Sequence, residues 1–316
     1  MIVNTYPRRV LNVFYATSKY FIPYFSVSLI SLLENNRQID LRIFLIYDFK
    51  EHQLLLPIID LCRKQYGITV QPIYQDTSIF EGYKTGEHVT VHTYLRLLLA
   101  DVIPEDVDAG LFIDSDTIVT GSLQAFTELE FAAYNDTSQP ESMKYLYAVK
   151  ETREHNAVNA ERITSLGYPT TQYFNAGVLF INLKNWRSNQ STTALLKLAE
   201  ERMDDLVYLD QDTLNMYFAG KWKALSATYN GLHLRVKVAK KPVIVHFAGK
   251  TKPWNYLNWH PYRNEYYKYL KILPFRGNKY EDFSYRAIPK KIAGNAIEIL
   301  RIIKHFILNR GKANIH

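Results

Sequence analysis

Apolar runs of strand length alternate with segments of helical spacing over roughly the first 120 residues. Continuous apolar runs favour buried strands, whereas apolar residues three and four positions apart favour helices. Alternation of the two is typical of an α/β domain built on a parallel sheet. The strand-like runs are 10–16, 41–47, 68–73 and 111–119, and the helical segments are 23–34, 51–66 and a stretch that begins at 92–99.

The second half of the chain mixes strand-like, helical and polar segments. We find no internal repeat and no low-complexity linker in it. We predict strands at 145–150, 178–183 and 243–247, a helix at 191–202 and a loop at 134–142. The pattern therefore predicts a body at 1–270, with halves that meet near residue 120, followed by a tail at 271–316.

Asp114 and Asp116 form the most informative polar pair, because they end the strand-like run LFIDSDTIV. An Asp-x-Asp pair arises about once by chance in a chain of this size. This pair is distinguished by its apolar flanks and by the Gly-Ser turn signal that follows. Carboxylates at a strand end suit Mg²⁺ or Mn²⁺, whose open positions are filled by substrate phosphates. Since ligands bind at the carboxyl ends of parallel strands, residues 17–20 and 114–116 should meet.

Composition narrows the class of protein. With 316 residues, 47% of them hydrophobic, the chain can bury a core as one large or two modest domains. The single cysteine, Cys62, excludes a disulfide framework and a cysteine zinc cluster, and it fits a reducing compartment. We read no apolar signal peptide at the N-terminus. A cytoplasmic location is therefore expected.

The positive charge is concentrated in the tail. From residue 285 onward there are seven Lys or Arg against one acid, which accounts for +6 of the net charge of +7. Apolar residues recur there at helical spacing, which predicts a basic amphipathic C-terminal helix. Such a helix either lies on an anionic membrane surface or docks on the body with a solvated basic face. The nearly neutral body argues against nucleic acid as a partner.

Two motifs of the second half combine polar and small residues. In YFNAGVLFINLKNW, Ala176 and Gly177 would let a ligand approach the backbone, and the alternative is a turn that enters a core strand. In LDQDTLN, polar side chains open a helix, and the alternative is simple N-capping by Asp210 or Asp212.

Two single side chains are also candidates. His246 ends the run VIVHF, where a histidine is more often a satisfied core residue than a ligand, but Gly249 and Lys252 follow it as a plausible phosphate-binding loop. Arg96 lies one turn into a predicted helix, where it either binds an anion inside the protein or pairs with a surface acid.

Two motifs imitate other enzyme classes. The tripeptide Gly-Lys-Thr at 249–251 lacks the upstream glycine of a P-loop, because position 244 is Ile244. The Asp-x-Asp-Thr motif resembles that of haloacid dehalogenase phosphatases, in which the first aspartate is a nucleophile. In those enzymes the motif opens the chain, whereas here a long α/β segment precedes it, so a phosphatase is the alternative enzyme.

Five motifs, TYLR, FIDSDTIV, YFNAGVLFINLKNW, LDQDTLN and HFAGKTKPW, occur in one order between residues 10 and 254. In this order they resemble the family 8 retaining glycosyltransferases, which include bacterial lipopolysaccharide and lipooligosaccharide galactosyl- and glucosyltransferases and glycogenin. The resemblance implies an α/β GT-A fold, with a Rossmann-like mixed sheet, helices on both faces, a nucleotide-sugar-binding half and an acceptor half.

The resemblance also assigns roles to residues. Asp114, Asp116 and His246 correspond to the metal ligands, and two oxygens with one imidazole suit Mn²⁺, or Mg²⁺, better than Ca²⁺. Tyr20 corresponds to the residue that stacks on uracil, and Glu151 lies near the position of an acid directed at the acceptor. The donor-binding set comprises Thr17, Tyr20, His88, Val89, Arg96, Asp114, Ser115, Asn175, Ala176, Gly177, Gly249 and Lys252.

The catalytic set implied by the resemblance is Asp210, Gln211 and Asp212. Gln211 would lie under the anomeric carbon, where an amide is a poor nucleophile. We therefore prefer a front-face mechanism, in which the acceptor hydroxyl attacks on the side from which UDP leaves. A double displacement through Asp212 is the alternative.

The expected activity is metal-dependent transfer of galactose or glucose from a UDP-hexose to a glycan. The acceptor would belong to a cell-surface polysaccharide, a lipopolysaccharide or a glycoprotein. A lipid-linked acceptor favours the membrane interpretation of the tail, with the protein peripheral on the inner face of the cytoplasmic membrane. A non-catalytic sugar-nucleotide or glycan-binding module with the same fold is a further alternative.

Overall fold

The computed structural model describes residues 10–85, 91–135, 145–234, 238, 240–249, 252–275, 282–289, 291–293, 296 and 300. Its strands are β1 (Val10–Thr17), β2 (Asp40–Tyr47), β3 (Val70–Tyr74), β4 (Ala109–Ile113), β5 (Thr117–Val119), β6 (Leu146–Lys150), β7 (Phe174–Asn182), β8 (Trp222–Ala224) and β9 (Ile244–His246). Its α-helices are α1 (Ile22–Asn35), α2 (Leu56–Leu61), α3 (Leu99–Val102), α4 (Gln124–Asn135), α5 (Arg153–Ser165), α6 (Leu183–Ser188), α7 (Ser191–Glu201), α8 (Leu209–Tyr217) and α9 (Arg263–Leu270).

Seven strands form one mixed sheet in the order β3-β2-β1-β4-β7-β6-β8. The first half contributes the parallel pairs β1–β2, β2–β3 and β1–β4. Strand β7 is antiparallel to both of its neighbours, β4 and β6. The predicted parallel arrangement of the first four main strands and the predicted mixed sheet are both confirmed. Strands from the two halves of the body therefore share one sheet.

Helices cover both faces of this sheet, as predicted. Val13 and Tyr15 of β1 belong to one buried cluster, which includes residues of α1 and α9, whereas Phe14 belongs to a second cluster with residues of α7 and α8. Because successive side chains of a strand point to opposite faces, the two clusters lie on opposite sides of the sheet.

The strand order reverses beside β1, since the chain adds β2 on one side and returns to add β4 on the other. Ligands of open α/β sheets bind at such a switch point, outside the carboxyl ends of the strands. The two predicted loops meet there, because Ser115 Oγ donates a hydrogen bond of 2.8 Å to the carbonyl of Ala16.

Helix α1 fixes a second, two-stranded sheet made of β5 and β9. Buried serines of the helix bond to the short strand: Ser31 Oγ accepts the Val119 amide at 2.7 Å, and Ser28 Oγ lies 2.7 Å from Thr117 Oγ1. Strand β9 then pairs antiparallel with β5 and places His246 opposite Thr117. The helix thus positions the segment that follows the carboxylate pair.

Several predicted boundaries are wrong. The single strand expected at 111–119 is two strands, β4 and β5, because the chain leaves the main sheet at the carboxylate pair. The small residues of NAG lie inside β7 and not in a turn before it. The helix expected at 51–66 consists of a 3₁₀ turn (His52–Leu55), α2 and a π-helical turn (Cys62–Tyr66). Residues 134 and 135 of the predicted loop end α4, and 136–142 lie outside the described residues.

The aromatic segment that precedes the tail is largely packed into the body. Trp254 stacks on Tyr24 with ring centroids 3.8 Å apart, and Tyr266 is buried beside it. In the described part of the tail, Ile292 and Leu300 have exposed side chains. No helix among the described residues has both the length and the apolar character that crossing a bilayer requires.

Candidate functional site

A cavity of about 510 Å³ opens at the carboxyl ends of β1 and β4. Its volume lies in the usual range for small-molecule sites. Most of the side chains predicted from the sequence line it. The predicted residues in its wall are Thr17, Arg96, Asp114, Ser115, Asp116, Glu151, Asn175, Ala176, Asp210, Gln211, His246, Gly249 and Lys252.

Asp114, Asp116 and His246 form a compact cluster in this wall. His246 Nε2 lies 3.2 Å from Asp116 Oδ1 and 3.8 Å from Asp114 Oδ2. One candidate ligand atom from each residue lies within 4.8 Å of the others. Ligand atoms on adjacent positions of an octahedral ion are about 3 Å apart. Two carboxylates and one imidazole in this arrangement fit a divalent ion such as Mn²⁺ or Mg²⁺, with further positions open to the cavity.

Gly177 makes this cluster possible. A Cβ at this position would lie 2.2 Å from His246 Cε1 and 2.8 Å from Asp114 Oδ2. The backbone of Gly177 also accepts the Asp114 amide at 2.8 Å, which holds the start of the carboxylate pair against β7. The space predicted for a ligand is therefore occupied by two of the metal-ligand candidates themselves, and Gly177 does not line the cavity.

Arg96 is a buried cation between Asp210, which is also buried, and Asp114, which is partly buried. Its Nη2 lies 2.9 Å from Asp114 Oδ1 and its Nε lies 2.8 Å from Asp210 Oδ2. It also donates to the carbonyl of Ala176, and its guanidinium stacks over a phenylalanine ring. Of the two predicted orientations, the inward one is confirmed. Burial raises the pKa of Asp210 to about 6, in spite of the neighbouring guanidinium.

Lys252 balances the charge of the other carboxylate. Its Nζ lies 2.5 Å from Asp116 Oδ2 and donates to the carbonyl of Phe247 at 2.7 Å. Burial by itself would raise the pKa of Asp116, but Lys252 and His246 outweigh it and hold the pKa well below its usual range. Burial raises the pKa of Asp114, against the opposing charge of Arg96. Asp116 is therefore held in its charged form, which is the form that binds a cation.

A chain of two amides joins His246 to Glu151. Asn175 Nδ2 donates to Glu151 Oε1 at 2.8 Å, and Asn230 Nδ2 donates to Asn175 Oδ1 at 2.9 Å. Asn230 Oδ1 then lies 3.0 Å from His246 Nδ1. Since that oxygen can only accept, His246 Nδ1 carries the proton, and Nε2 keeps its lone pair for a metal. A carboxylate at the far end fixes the direction of the whole chain.

The motifs YFNAGV and LDQDTLN are physically joined. Gln211 Oε1 accepts the Ala176 amide at 2.9 Å, and the side chain of Asn215 bonds to both the N–H and the C=O of Phe174. Gln211 Nε2 also donates to Tyr173 Oη at 3.2 Å. Helix α8 thereby holds the first residues of β7 and fixes the side-chain amide of Gln211 at the cavity.

Asp212, which the family resemblance placed in the catalytic set, does not line the cavity. It is 1% exposed and accepts hydrogen bonds from Tyr173 Oη at 2.5 Å and Arg162 Nη2 at 2.6 Å. Its other oxygen accepts the amides of Val207 and Tyr208. Both residues precede α8, so Asp212 holds the segment before the helix, and the N-cap residue itself is Tyr208. Asp210, in contrast, faces Arg96.

The predicted donor-binding set has three further members, Tyr20, His88 and Val89. Tyr20 is 60% exposed in a 3₁₀ turn (Lys19–Phe21), next to the cavity but not in its wall. His88 and Val89 lie outside the described residues.

Sequence reasoning missed several residues of the wall, among them His92, His155 and His233. His92 Nε2 lies 2.6 Å from Asp48 Oδ2, at the carboxyl end of β2. A polar residue directly after the predicted strand at 41–47 was the available signal for this pair. His233 and Asn230 lie in a segment with no periodic pattern, where the only signal was the polar sequence Asn-Gly-Leu-His.

Relatives of known type match most of the chain. It is 27% identical over 300 residues to a lipopolysaccharide 1,2-glucosyltransferase of Escherichia coli, covering 90% of this chain and 82% of that protein. It is 31% identical over 253 residues to the glycosyltransferase GlyF of Streptococcus pneumoniae serotype 4, covering 76% of this chain and 56% of that protein.

The fold matches that of the galactosyltransferase LgtC, which was crystallised with donor and acceptor sugar analogs. The TM-score is 0.70 at 21% identity, and the match covers 89% of this chain and all of LgtC. The predicted GT-A fold is thereby confirmed. The sequence model of glycosyl transferase family 8 matches residues 12–258, which include the Asp-x-Asp pair, both joined motifs and His246. The protein therefore belongs to glycosyl transferase family 8.

Proposed function

We propose that the protein is a metal-dependent retaining glycosyltransferase that moves galactose or glucose from a UDP-hexose to a glycan acceptor. The acceptor would belong to a cell-surface polysaccharide, a lipopolysaccharide or a glycoprotein. Relatives named as lipopolysaccharide glucosyl- and galactosyltransferases support the hexose and the acceptor class. The observation that carries the proposal is the buried cluster of Asp114, Asp116 and His246 in the wall of the cavity.

The groups around the cluster suit a diphosphate donor. A divalent ion held there, Mn²⁺ in our proposal, would supply positive charge to the leaving UDP. Lys252 adds a cation on the same side, where it would move from Asp116 to a phosphate oxygen as the ion takes its place. Fixed cations aimed at developing negative charge favour the transition state over the bound donor. We assign Thr17, Ser115 and Tyr20 to the base and ribose end of the donor.

Hydrogen-bonding groups at the other side of the wall would bind the donor sugar. Asp210, Gln211 and Asn175 present a carboxylate and two amides, each fixed by bonds to the protein. Fixed polar groups discriminate well between epimers, because a sugar that lacks the matching hydroxyl leaves a buried group unpaired, at about 1–3 kcal/mol.

The burial of Asp212 supports the front-face mechanism. A double displacement would require this carboxylate to leave four donors and reach the anomeric carbon. Gln211 is better placed to support the sugar than to attack it. We propose that a donor phosphate oxygen takes the acceptor proton. A glycosyl adduct on Asp212, trapped and located by mass spectrometry, would contradict this mechanism.

The first experiment is hydrolysis and transfer with a panel of UDP-sugars, in Mn²⁺ and in EDTA. Release of UDP from one preferred sugar should depend on metal and be lost in Asp114→Asn and Asp116→Asn. Asp101→Asn, which changes an exposed carboxylate on α3 outside the cavity wall, is the matched control and should retain activity.

Two other results would replace the proposal. Binding of a UDP-sugar without turnover would identify the non-catalytic module. Turnover of simple phosphomonoesters would revive the phosphatase, although a family 8 sequence match over residues 12–258 argues against that class.

We further propose that the C-terminal tail holds the protein on an anionic membrane. Exposed apolar side chains of the described tail, Phe283, Tyr285, Ile292 and Leu300, support a surface that inserts at the interface. Lys291 is paired with Asp282, so the charge for lipid binding would come from the other basic residues.

Sedimentation with vesicles tests the membrane proposal. Binding to vesicles that contain anionic phospholipid should weaken in Leu300→Glu and should be weak on neutral vesicles. Leu56→Glu, an equally exposed apolar position on α2, is the control and should bind like the parent protein. Equal sedimentation of the Leu300 variant and the parent would refute the proposal.

A further inference from the structure

A second cluster of metal-ligand side chains lies in the same cavity wall. Glu151, His155 and His233 present one oxygen and two nitrogens that lie within 4.8 Å of one another. His155 Nδ1 is 3.8 Å from Glu151 Oε2, and His233 Nε2 is 3.9 Å from the same oxygen. The two imidazole rings are perpendicular, with centroids 5.1 Å apart. Both rings thus turn a nitrogen toward a single carboxylate oxygen.

Two hydrogen bonds hold the carboxylate of Glu151 in place, with Oε2 facing the histidines. Its side chain is 7% exposed, because it follows β6 directly and precedes the first turn of α5. Oε1 accepts the Asn175 amide at 2.8 Å, and Oε2 accepts the Thr152 backbone amide at 3.1 Å. A carboxylate oxygen has capacity for a further partner beyond one amide. The fixed carboxylate is therefore an anchor for an ion, about which the histidines can adjust.

The separations are close to those of a bound ion. Zinc bonds to nitrogen and oxygen at about 2.0–2.2 Å, so two ligands of a tetrahedral ion are about 3.4 Å apart. The observed separations of 3.8 and 3.9 Å exceed this by about half an ångström. The side chain of His155 is 50% exposed and that of His233 is 35% exposed. Half-exposed rings can close this distance by small rotations.

The donor set selects the class of ion. Two imidazoles and one carboxylate favour borderline transition metals such as Zn²⁺ and Co²⁺ over Mg²⁺ and Ca²⁺, which prefer oxygen. The buried cluster has the opposite balance, with two carboxylates and one imidazole. One cavity thus contains two clusters with different metal preferences.

We infer that Glu151, His155 and His233 form a second cation site, specific for a transition metal with three protein ligands. The remaining position opens to the cavity. If the proposed function holds, an ion there competes with the acceptor for space, so it inhibits transfer and leaves hydrolysis of the donor unchanged.

Titration with Co²⁺ tests the site without reference to activity. In the full-length Asp114→Asn/Asp116→Asn double variant, which disables the buried cluster, one equivalent of Co²⁺ should still bind and give the intense visible absorption of a low-coordinate ion. Adding His155→Gln or His233→Asn should remove that equivalent. Asparagine is chosen at 233 because it tolerates the positive φ of 49° at this residue.

A surface histidine outside the wall supplies the control. His52→Gln, in the same double-variant background, should keep the bound Co²⁺. Circular dichroism establishes that each variant is folded before titration. No bound Co²⁺ in the double variant, or the same stoichiometry with and without the histidine changes, would overturn the inference.

Enzyme assays then separate this inference from the proposed function. With saturating Mn²⁺, added Zn²⁺ should inhibit transfer by the parent protein but not by His155→Gln, while donor hydrolysis stays constant in both. Co²⁺ binding in the absence of any donor turnover would leave the site in place and overturn only the proposed function. Donor turnover in a protein that binds no Co²⁺ at this cluster would support the proposed function and overturn the second cation site.

Discussion

Two carboxylate–histidine clusters share one cavity and differ in how they are held. The cluster of Asp114, Asp116 and His246 is enclosed, and its histidine side chain is 6% exposed. A buried cation, Arg96, and a partly buried one, Lys252, pair with its carboxylates, and a glycine leaves room for it. In the cluster of Glu151, His155 and His233, only the carboxylate is enclosed, and both imidazoles reach solvent.

The difference agrees with the proposed reaction, in which the first cluster binds the donor diphosphate and the second lies where the acceptor enters. Charge develops at the diphosphate, and groups that are fixed in advance stabilise it without reorganising. An acceptor glycan has to enter and leave, so groups at its end can stay half exposed. The side chains with the most fixed contacts are therefore those of the cluster that would bind the diphosphate.

Removal of Arg96 should show the largest contrast between an enclosed and an exposed ion pair. Arg96→Gln leaves Asp114 and Asp210 buried beside each other without their shared cation. Loss of one partner of a buried pair costs about 3–5 kcal/mol, which urea unfolding in EDTA would measure. Arg42→Gln breaks a surface pair with Asp106 and should change stability little. Equal losses of stability in the two variants would contradict the stated difference between the enclosed and the exposed ion pair.

An added methyl group should disable the enclosed cluster alone. Gly177→Ala would place Cβ 2.2 Å from His246 Cε1, so the histidine and Asp114 must move. Displacement of reacting groups by about 1 Å costs roughly 100-fold in rate, to be measured as kcat/KM. Co²⁺ binding at the second cluster should persist.

Gly121→Ala is the control for this change. The three atoms nearest to its Cβ would all belong to Val243, at 3.5 Å, which is ordinary contact. Wild-type activity in Gly177→Ala would show that the cluster tolerates displacement after all.

The amide chain between the clusters should matter for metal affinity. Asn230→Ala removes the acceptor that keeps the proton on His246 Nδ1. Loss of such a supporting partner weakens metal binding about 10–100-fold. Electron paramagnetic resonance of free Mn²⁺ measures this directly. The exposed Asn189→Ala is the control, and unchanged Mn²⁺ affinity in Asn230→Ala would mean that the chain does not set the tautomer.

The enclosed region should also have a distinct pH dependence. The pKa of Asp210 is about 6 in the folded protein against about 4 in the unfolded chain, so the folded state holds the extra proton between these values. Its contribution to stability is greatest below pH 4 and is lost as pH rises through 6, a loss on the order of 2 kcal/mol. Unfolding of the metal-free protein should show this slope relative to Asp210→Asn. Parallel pH profiles of the two proteins would contradict it.

The local pattern of apolar and polar residues was sufficient to predict the main strands and helices of the first half. Strands β1 and β2 and helix α1 appear within one or two residues of their predicted bounds, because each buries a continuous apolar run or stripe. The run 111–119 was misread because its last residues pair with β9, more than 120 residues away. Periodicity within one segment has no information about such a partner.

The same limit applies to the candidate site. Asp114 and Asp116 were singled out because they end an apolar run, which is a local signal, and the family resemblance added His246 to them. Asn230 and His233 were missed because their position depends on packing of an irregular segment against Glu151 and Asn175. The buried contacts of Asp212 were not predicted, because sequence does not show whether a helix turns a carboxylate to the cavity or back to the amides that precede the helix.

The pairing of β5 with β9 limits where the chain can change length during evolution. His246 faces Thr117 in this ladder, and a shift of one residue would turn the imidazole to the opposite face of the strand. Insertions and deletions should therefore be eliminated by selection from 111–119 and 244–246 during divergence. The start of α5 lies outside this ladder and carries no such restriction. New acceptors could then be acquired by changes in length there, while the ancestral chemistry is inherited unchanged.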